Sequence, residues 1–147
     1  MFLIAWRKTI EEEALADANE IAYVSLDEAL VLYAEIKGLT REAVDAESAT
    51  SASSTPQLAR PMHAATYGAA DLAEQAATLI WGIAENQAFL DGNKRLALVV
   101  TLTFLEVNGF RLEMSDDEKV ELMFDISRGT TVPRVAELFR QRLRPLA

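Results

Sequence analysis

The stretch Asn86-Gln87-Ala88-Phe89-Leu90-Asp91-Gly92-Asn93-Lys94-Arg95 decides how this chain is read. It sets an acid, a glycine and an amide directly before an apolar run that opens on two cations. Leu96, Val99, Val100, Leu102, Thr103 and Leu105 follow, largely apolar all round, which is the pattern of a central buried helix beginning at Asn93. A helix start leaves several backbone N–H groups unpaired and is the positive end of the helix dipole. Gly92 lets the backbone turn tightly and approach a ligand closely. Lys94 and Arg95 add full positive charge at the same place, and arginine grips phosphate with two hydrogen bonds. Asp91 is the one acid in the stretch and is able to hold a magnesium ion that bridges phosphates. Asp-Gly-Asn before a helix is also an ordinary turn and cap. Two cations at a helix start are less ordinary, because they oppose the dipole and call for an anion or a nearby acid. Together these groups read as a nucleotide phosphate site.

Outward from that stretch the chain reads as all-α. Ser25-Leu26-Asp27-Glu28 is a capping box, followed by Leu26, Ala29, Leu30, Tyr33 and Ile36 at helical spacing and stopped by Gly38. Thr40 to about Ala46 reads as a marginal helix, and the Ser/Ala/Thr-rich residues 47–56 as a loop. Asp71 opens a strong helix with the stripe Leu72, Ala76, Leu79, Ile80 and Ile83. Asn108-Gly109 ends the central helix. Ser115-Asp116-Asp117-Glu118 is a second capping box, leading to Val120, Leu122, Met123 and Ile126 with Gly129 beyond. Pro133 sits in the first turn of a final helix through Val135, Leu138, Phe139 and Leu143. Short extended pieces are expected around residues 61–68 and 110–113. These apolar stripes read as core. Trp81, in the helix before the signature stretch, reads as packing.

Composition sets the outer bounds. A length of 147 residues, half of them apolar, fits one domain with a real core. No apolar run is long enough to span a membrane. Residues 1–6 are too short for a secretory segment, and Arg7 and Lys8 fall on its wrong side. The chain has no cysteine, so it has neither disulfides nor thiolate metal sites, and a reducing cytoplasm is the simplest compartment. A net charge of −9 argues against direct nucleic-acid binding, so a phosphate site has to be built locally, as Lys94 and Arg95 would do. The acidic run Glu11-Glu12-Glu13 reads as a solvated helix face, and His63, the single histidine, as an exposed loop residue. Arg134, Arg140, Arg142 and Arg144 either complement the dipole of the last helix or meet an acidic partner.

The signature stretch resembles that of the Fic/Doc superfamily, in the variant found in Doc (death-on-curing) toxins: His-Pro-Phe-x-Asp-(Gly/Ala)-Asn-Lys-Arg, often with Asn before the His. Phe89, Asp91, Gly92, Asn93, Lys94 and Arg95 match, and Asn86 precedes. Ala88 stands where proline is common. Gln87 stands where the family has its histidine, the general base. Glutamine keeps hydrogen-bonding capacity but accepts no proton near neutral pH. The resemblance covers roughly residues 22 to 145. Tyr23 to Glu28 look like the family's opening strand-to-helix segment. Leu58-Ala59-Arg60-Pro61 with Tyr67-Gly68 look like a short version of its flap, and Phe104 to Phe110 like the end of its central helix. The expectation is a Doc-type domain over 22–147, a small bundle of about six helices with a short flap before the central helix pair, and an extension over 1–21.

The resemblance implies a toxin of a toxin–antitoxin pair that transfers the terminal phosphate of ATP to a hydroxyl of a protein target, of the elongation factor Tu class. Its cofactors would be ATP and Mg2+. Its partner would be an antitoxin whose disordered C-terminal segment folds onto the toxin. Gly92, Asn93, Lys94 and Arg95 would cradle the phosphates, and Asp91 would take the magnesium or orient a cradle side chain. Phe89 would anchor the loop. Most Fic relatives transfer AMP and carry glycine at the position of Lys94, so the larger cation favours phosphate over adenylyl transfer. Gln87 admits two accounts: a deliberate inactivation of a toxin, or a natural binding module that holds nucleotide, antitoxin or both.

Overall fold

The computed structural model of the protein describes residues 21–38, 70–85 and 92–146. Within them lie five helices and one small sheet: α1 (Leu26–Lys37), α2 (Leu72–Glu85), α3 (Asn93–Val107), β1 (Phe110–Leu112), α4 (Asp116–Ser127), α5 (Val132–Arg142) and β2 (Leu143–Pro145). This is the expected all-α bundle. The marginal helix at 40–46, the loop at 47–56, the flap-like segment at 58–68, the extended piece at 61–68 and residues 1–20, with Glu11 to Glu13 and His63, lie outside the described residues.

The helix boundaries follow from local chemistry. Ser25 and Ser115 close complete capping boxes: each hydroxyl accepts from the N–H three residues on, and Glu28 and Glu118 accept from the serine N–H in return. Asp71 caps α2, its Oδ1 accepting from the Glu74 N–H at 2.8 Å. Gly38 ends α1 in the left-handed conformation. Pro133 lies in the first turn of α5, where its missing N–H leaves no helical bond unmade.

α2 packs between α3 and α5, α1 lies on α3, and α4 touches both α2 and α3. The core gathers Tyr33, Leu79, Ile80, Val100, Phe104, Leu105, Ile126, Val135 and Phe139, all essentially inaccessible. Two polar links tie the chain before α1 to this core. Tyr23 stacks on Phe104 and donates from its hydroxyl to Gln75 Oε1 at 2.8 Å, and its burial pushes the phenol pKa up. Asn108, where α3 ends, accepts from the Ala22 N–H and donates to the Ala22 carbonyl, both at 2.9 Å, and donates to the Phe104 carbonyl at 2.7 Å. Residues 21–25 therefore reach α1 without a strand partner among the described residues; one side-chain amide takes the place of a strand pair. Trp81 packs partly buried against the core, as its sequence reading expects, and donates from its indole N–H to the Thr130 carbonyl at 3.2 Å.

The final helix is shorter than its apolar spacing predicts. It ends at Arg142, and Leu143 is extended and starts β2. Pro145 disfavours the helical conformation for Arg144, and the freed backbone finds partners on β1. The strands pair antiparallel, Phe110 with Pro145, Arg111 with Arg144 and Leu112 with Leu143. The extended piece expected at 110–113 is thus β1.

The C-terminal arginines are largely paired within the fold. Arg140 bonds Asp71 at 2.8 Å and also reaches Glu74 at 2.7 Å and Glu137 at 3.2 Å. Arg142 pairs with Glu118 and donates to the Glu113 carbonyl, and Arg144 pairs with Glu113 at 2.8 Å. The hydrogen bond from Arg140 holds the Asp71 carboxyl below its usual pKa. Because the folded-state value lies below the unfolded one, the Asp71–Arg140 pair contributes stability above the ordinary carboxylate value and loses it as pH falls through the lowered one.

Two outcomes are expected. Asp71→Asn keeps the helix cap and removes the charge, so it is less stable than the parent near neutral pH, and the difference closes as pH falls through the lowered Asp71 value. Urea unfolding of both proteins from pH 7 to pH 2 measures this, and a difference that persists at pH 2 would assign the effect to the cap. Asn108→Ala removes three hydrogen bonds and leaves Ala22 unpartnered; a loss of about 1–3 kcal/mol is expected in the same assay.

Candidate functional site

The site begins at the N-terminus of α3. Gly92 is its N-cap residue, at φ 78 and ψ 6, a left-handed conformation that a side chain disfavours. A methyl group placed on Gly92 would stand 3.5 Å from Cε1 of Tyr33 and 3.6 Å from Cδ of Lys37, which is ordinary contact, so the backbone angle and not a lack of room calls for glycine. These contacts set the turn against the last part of α1. The first helical bond runs from the Leu96 N–H to the Gly92 carbonyl at 2.9 Å. The N–H groups of the first turn come before it, and Gly92 has no side chain to cap them.

The charge pattern of α3 is opposite to that of α1, α2 and α4. Those helices carry acids in their first turns: Asp27 and Glu28, Glu74, and Asp116 to Glu118. α3 carries none there and places Lys94 and Arg95 instead, both exposed. An isolated helix is destabilised by cations at this end, typically by about 0.3–1 kcal/mol each. An anion seated at the turn reverses that sign, and it finds backbone N–H donors and two cationic side chains in one place.

The structure brings Gly92, Asn93, Lys94 and Arg95 together as one turn. Gln87 and Asp91, with the rest of 86–91, lie outside the described residues, as does the magnesium position proposed for Asp91. Among the described residues no cluster of three or more His, Cys, Asp or Glu is arranged to hold a metal. The donor chemistry of the α3 turn fits the phosphates of ATP, being N–H groups and cations without a carboxylate in the first turn.

Sequence reasoning missed what lies beside the turn. Lys94, Arg95 and Leu98 of α3 face Val120, Met123 and Phe124 of α4 across a groove of about 270 Å³. Val120 was expected in the core stripe of α4, yet it is 52 % exposed, and Phe124 is 48 % exposed. The reason is helical phase. Leu122, Met123 and Ile126 fill the buried face, and Val120 and Phe124, four residues apart, share the adjacent one. The i, i+4 spacing of Val120 and Phe124 was the one signal the sequence offered for a second apolar face. No described helix is long and apolar enough to cross a membrane.

Comparison with known proteins agrees with this geometry. Residues 10–105 match the model of the Fic/DOC family. Toxin Doc of Mycolicibacterium smegmatis is 37% identical over 75 residues, a match that covers 48% of this chain and 57% of that protein. The matched region therefore spans little more than half the length of this curated relative. With a family match across most of its length, and the glycine turn, Lys94 and Arg95 gathered where α3 begins, the chain belongs to the Fic/DOC family.

Proposed function

We propose that this protein is a Doc-type toxin of a toxin–antitoxin module, built to transfer the terminal phosphate of ATP to a hydroxyl of a protein target, with its rate held down by Gln87. The observation that carries this reading is the start of α3, a glycine N-cap turn followed by Lys94 and Arg95, with no acid in the first turn. Phosphoryl transfer asks mainly for positioning and for stabilisation of charge on the phosphate oxygens. The N–H groups after Gly92 would bind those oxygens, Arg95 would grip them through two donors, and Lys94 would neutralise the charge that develops. Asp91 would hold Mg2+, which supplies further neutralisation of the phosphates when bound. Asn93, first in the helix, would orient the cradle. The Lys94 side chain occupies room beside the turn that a glycine would leave open, which supports transfer of phosphate over transfer of AMP.

The step still lacks a base. A hydroxyl nucleophile must lose its proton as it attacks, and glutamine at position 87 does not accept it. Removal of a general base lowers the rate by roughly 10²–10⁴-fold. Gln87 therefore also favours a second reading, a non-catalytic module that keeps nucleotide, antitoxin or both. The Doc resemblance implies a partner antitoxin and a target of the elongation factor Tu class, with both in the cytoplasm. Arg140, Arg142 and Arg144 are already paired within the fold, so an acidic partner segment is better served by Lys94 and Arg95.

The test is an ATP-transfer assay on a cytosolic extract, with label on the γ-phosphate in one sample and on the α-phosphate in the other. The chain and Gln87→His are compared. Strong γ-labelling of one protein by Gln87→His, with the parent lower by two or more orders of magnitude, is the expected result. Transfer of α-label would overturn the argument from Lys94. Failure of both proteins to label any target would leave the binding module as the function.

A further inference from the structure

Phe124 is a large apolar side chain left 48 % exposed on α4, beside the buried face formed by Leu122, Met123 and Ile126. Burial does not account for it. Its ring does, however, face two cations: Lys94 Nζ and Arg128 Cζ each stand 5.7 Å from the ring centroid. The two are not equivalent. Arg128 is tied to its own helix by bonds from Nη1 to Glu121 and Asp125, each at 3.2 Å. Lys94 has the ring as its charge-directed contact among the described residues.

A lysine stem is flexible, and its freedom is lost when the ammonium meets a fixed anion. The face of an aromatic ring carries partial negative charge and attracts the ammonium without neutralising it. A cation held this way stays fully charged toward a ligand, whereas a carboxylate partner would compete with that ligand. We propose that Phe124 is a positioning residue for Lys94: its half-exposed ring holds the ammonium at the mouth of the α3–α4 groove, beside the start of α3, so that a bound polyphosphate meets a cation already in place. This rests on the nucleotide reading above and adds to it a residue outside the signature stretch. Pre-ordering a charged side chain in its bound position lowers the cost of binding.

The experiment is calorimetric titration of the full chain with Mg2+–ATP and with Mg2+–tripolyphosphate. It uses the parent, Phe124→Leu, Phe124→Trp, Lys94→Met and the double variant Phe124→Leu/Lys94→Met. Phe124→Leu keeps an apolar side chain and removes the ring, and both ligands are expected to bind about two- to five-fold more weakly. Phe124→Trp keeps a ring face and is expected to bind as the parent does. In the Lys94→Met background, Phe124→Leu is expected to have no further effect, which a merely structural role of Phe124 would not produce. Equal losses in both backgrounds, or none in either, overturn the proposal. A loss confined to ATP also overturns it, because the ring would then contact the base and not serve Lys94. If the parent binds neither ligand, the nucleotide reading falls and takes this proposal with it. Binding by the parent with no response to Phe124→Leu removes the proposal alone.

Discussion

The packing of α2 against α3 is the constraint on which the rest of the structure depends. The buried residues of α2 are mostly small, Ala73, Ala76, Ala77, Gly82 and Ala84 beside Leu79, Ile80 and Ile83. Small side chains let two helices approach closely, and the larger groups of α3, Val100, Phe104 and Leu105, fill the remaining space. The signature residues 86–91 join the end of one helix to the start of the other. Both ends of that link are held by core contacts, Ile83 and Ala84 on one side and Leu96 and Ala97 on the other. The turn at Gly92 is further seated against Tyr33, which is fully buried in α1. The placement of the Gly92 turn is therefore set by the hydrophobic core.

Electrostatics then divides the surface. The chain carries nine net negative charges, and many of the acids stand where they stabilise the fold: in the first turns of α1, α2 and α4, or against Arg140, Arg142 and Arg144. Glu118 does both, and its carboxyl is held below the usual range by the Ser115 N–H first and by Arg142 second. The arginines of the C-terminal region thus close the molecule by tying α5 and β2 to the caps of α2 and α4 and to the residue after β1. Among the described residues, Lys94 and Arg95 stand apart from this pairing. A local positive site in an acidic chain has to be short-ranged and specific, and the α3 turn is of that kind.

Much of this was legible in the sequence, because the informative signals were local. Both serine capping boxes, the Asp71 cap, the glycine stop after Lys37 and the proline at the start of α5 lie where the residues alone place them. Such signals need no knowledge of the tertiary fold. What was not legible depended on contacts between distant segments. Leu143 continues the apolar spacing of α5, and only the pairing of residues 143–145 with 110–112 turns it into strand. Val120 looked like core because spacing alone does not fix the phase of a short helix against its neighbours. The groove between α3 and α4 needed both helices in place. The start of α3 was legible for the opposite reason: glycine, cations and helix start are contiguous in the chain.

The same locality bears on Gln87. The proposed cradle and the family's base position fall on different residues, and the Gly92 turn and the first turn of α3 carry the former. Glutamine at position 87 accepts no proton near neutral pH, and this follows from its chemistry alone. Lys94 and Arg95 are in the opposite position. At the positive end of a helix they work against the isolated chain, so a sequence free of any ligand gains stability by exchanging them for acids, as α1 and α4 do. Their presence at the start of α3 is what supports the proposed anion site there. On the proposed reading, catalysis depends further on the side chain at position 87. The two proposed readings, toxin and binding module, call for the same α3 turn and differ in the chemistry they require at position 87.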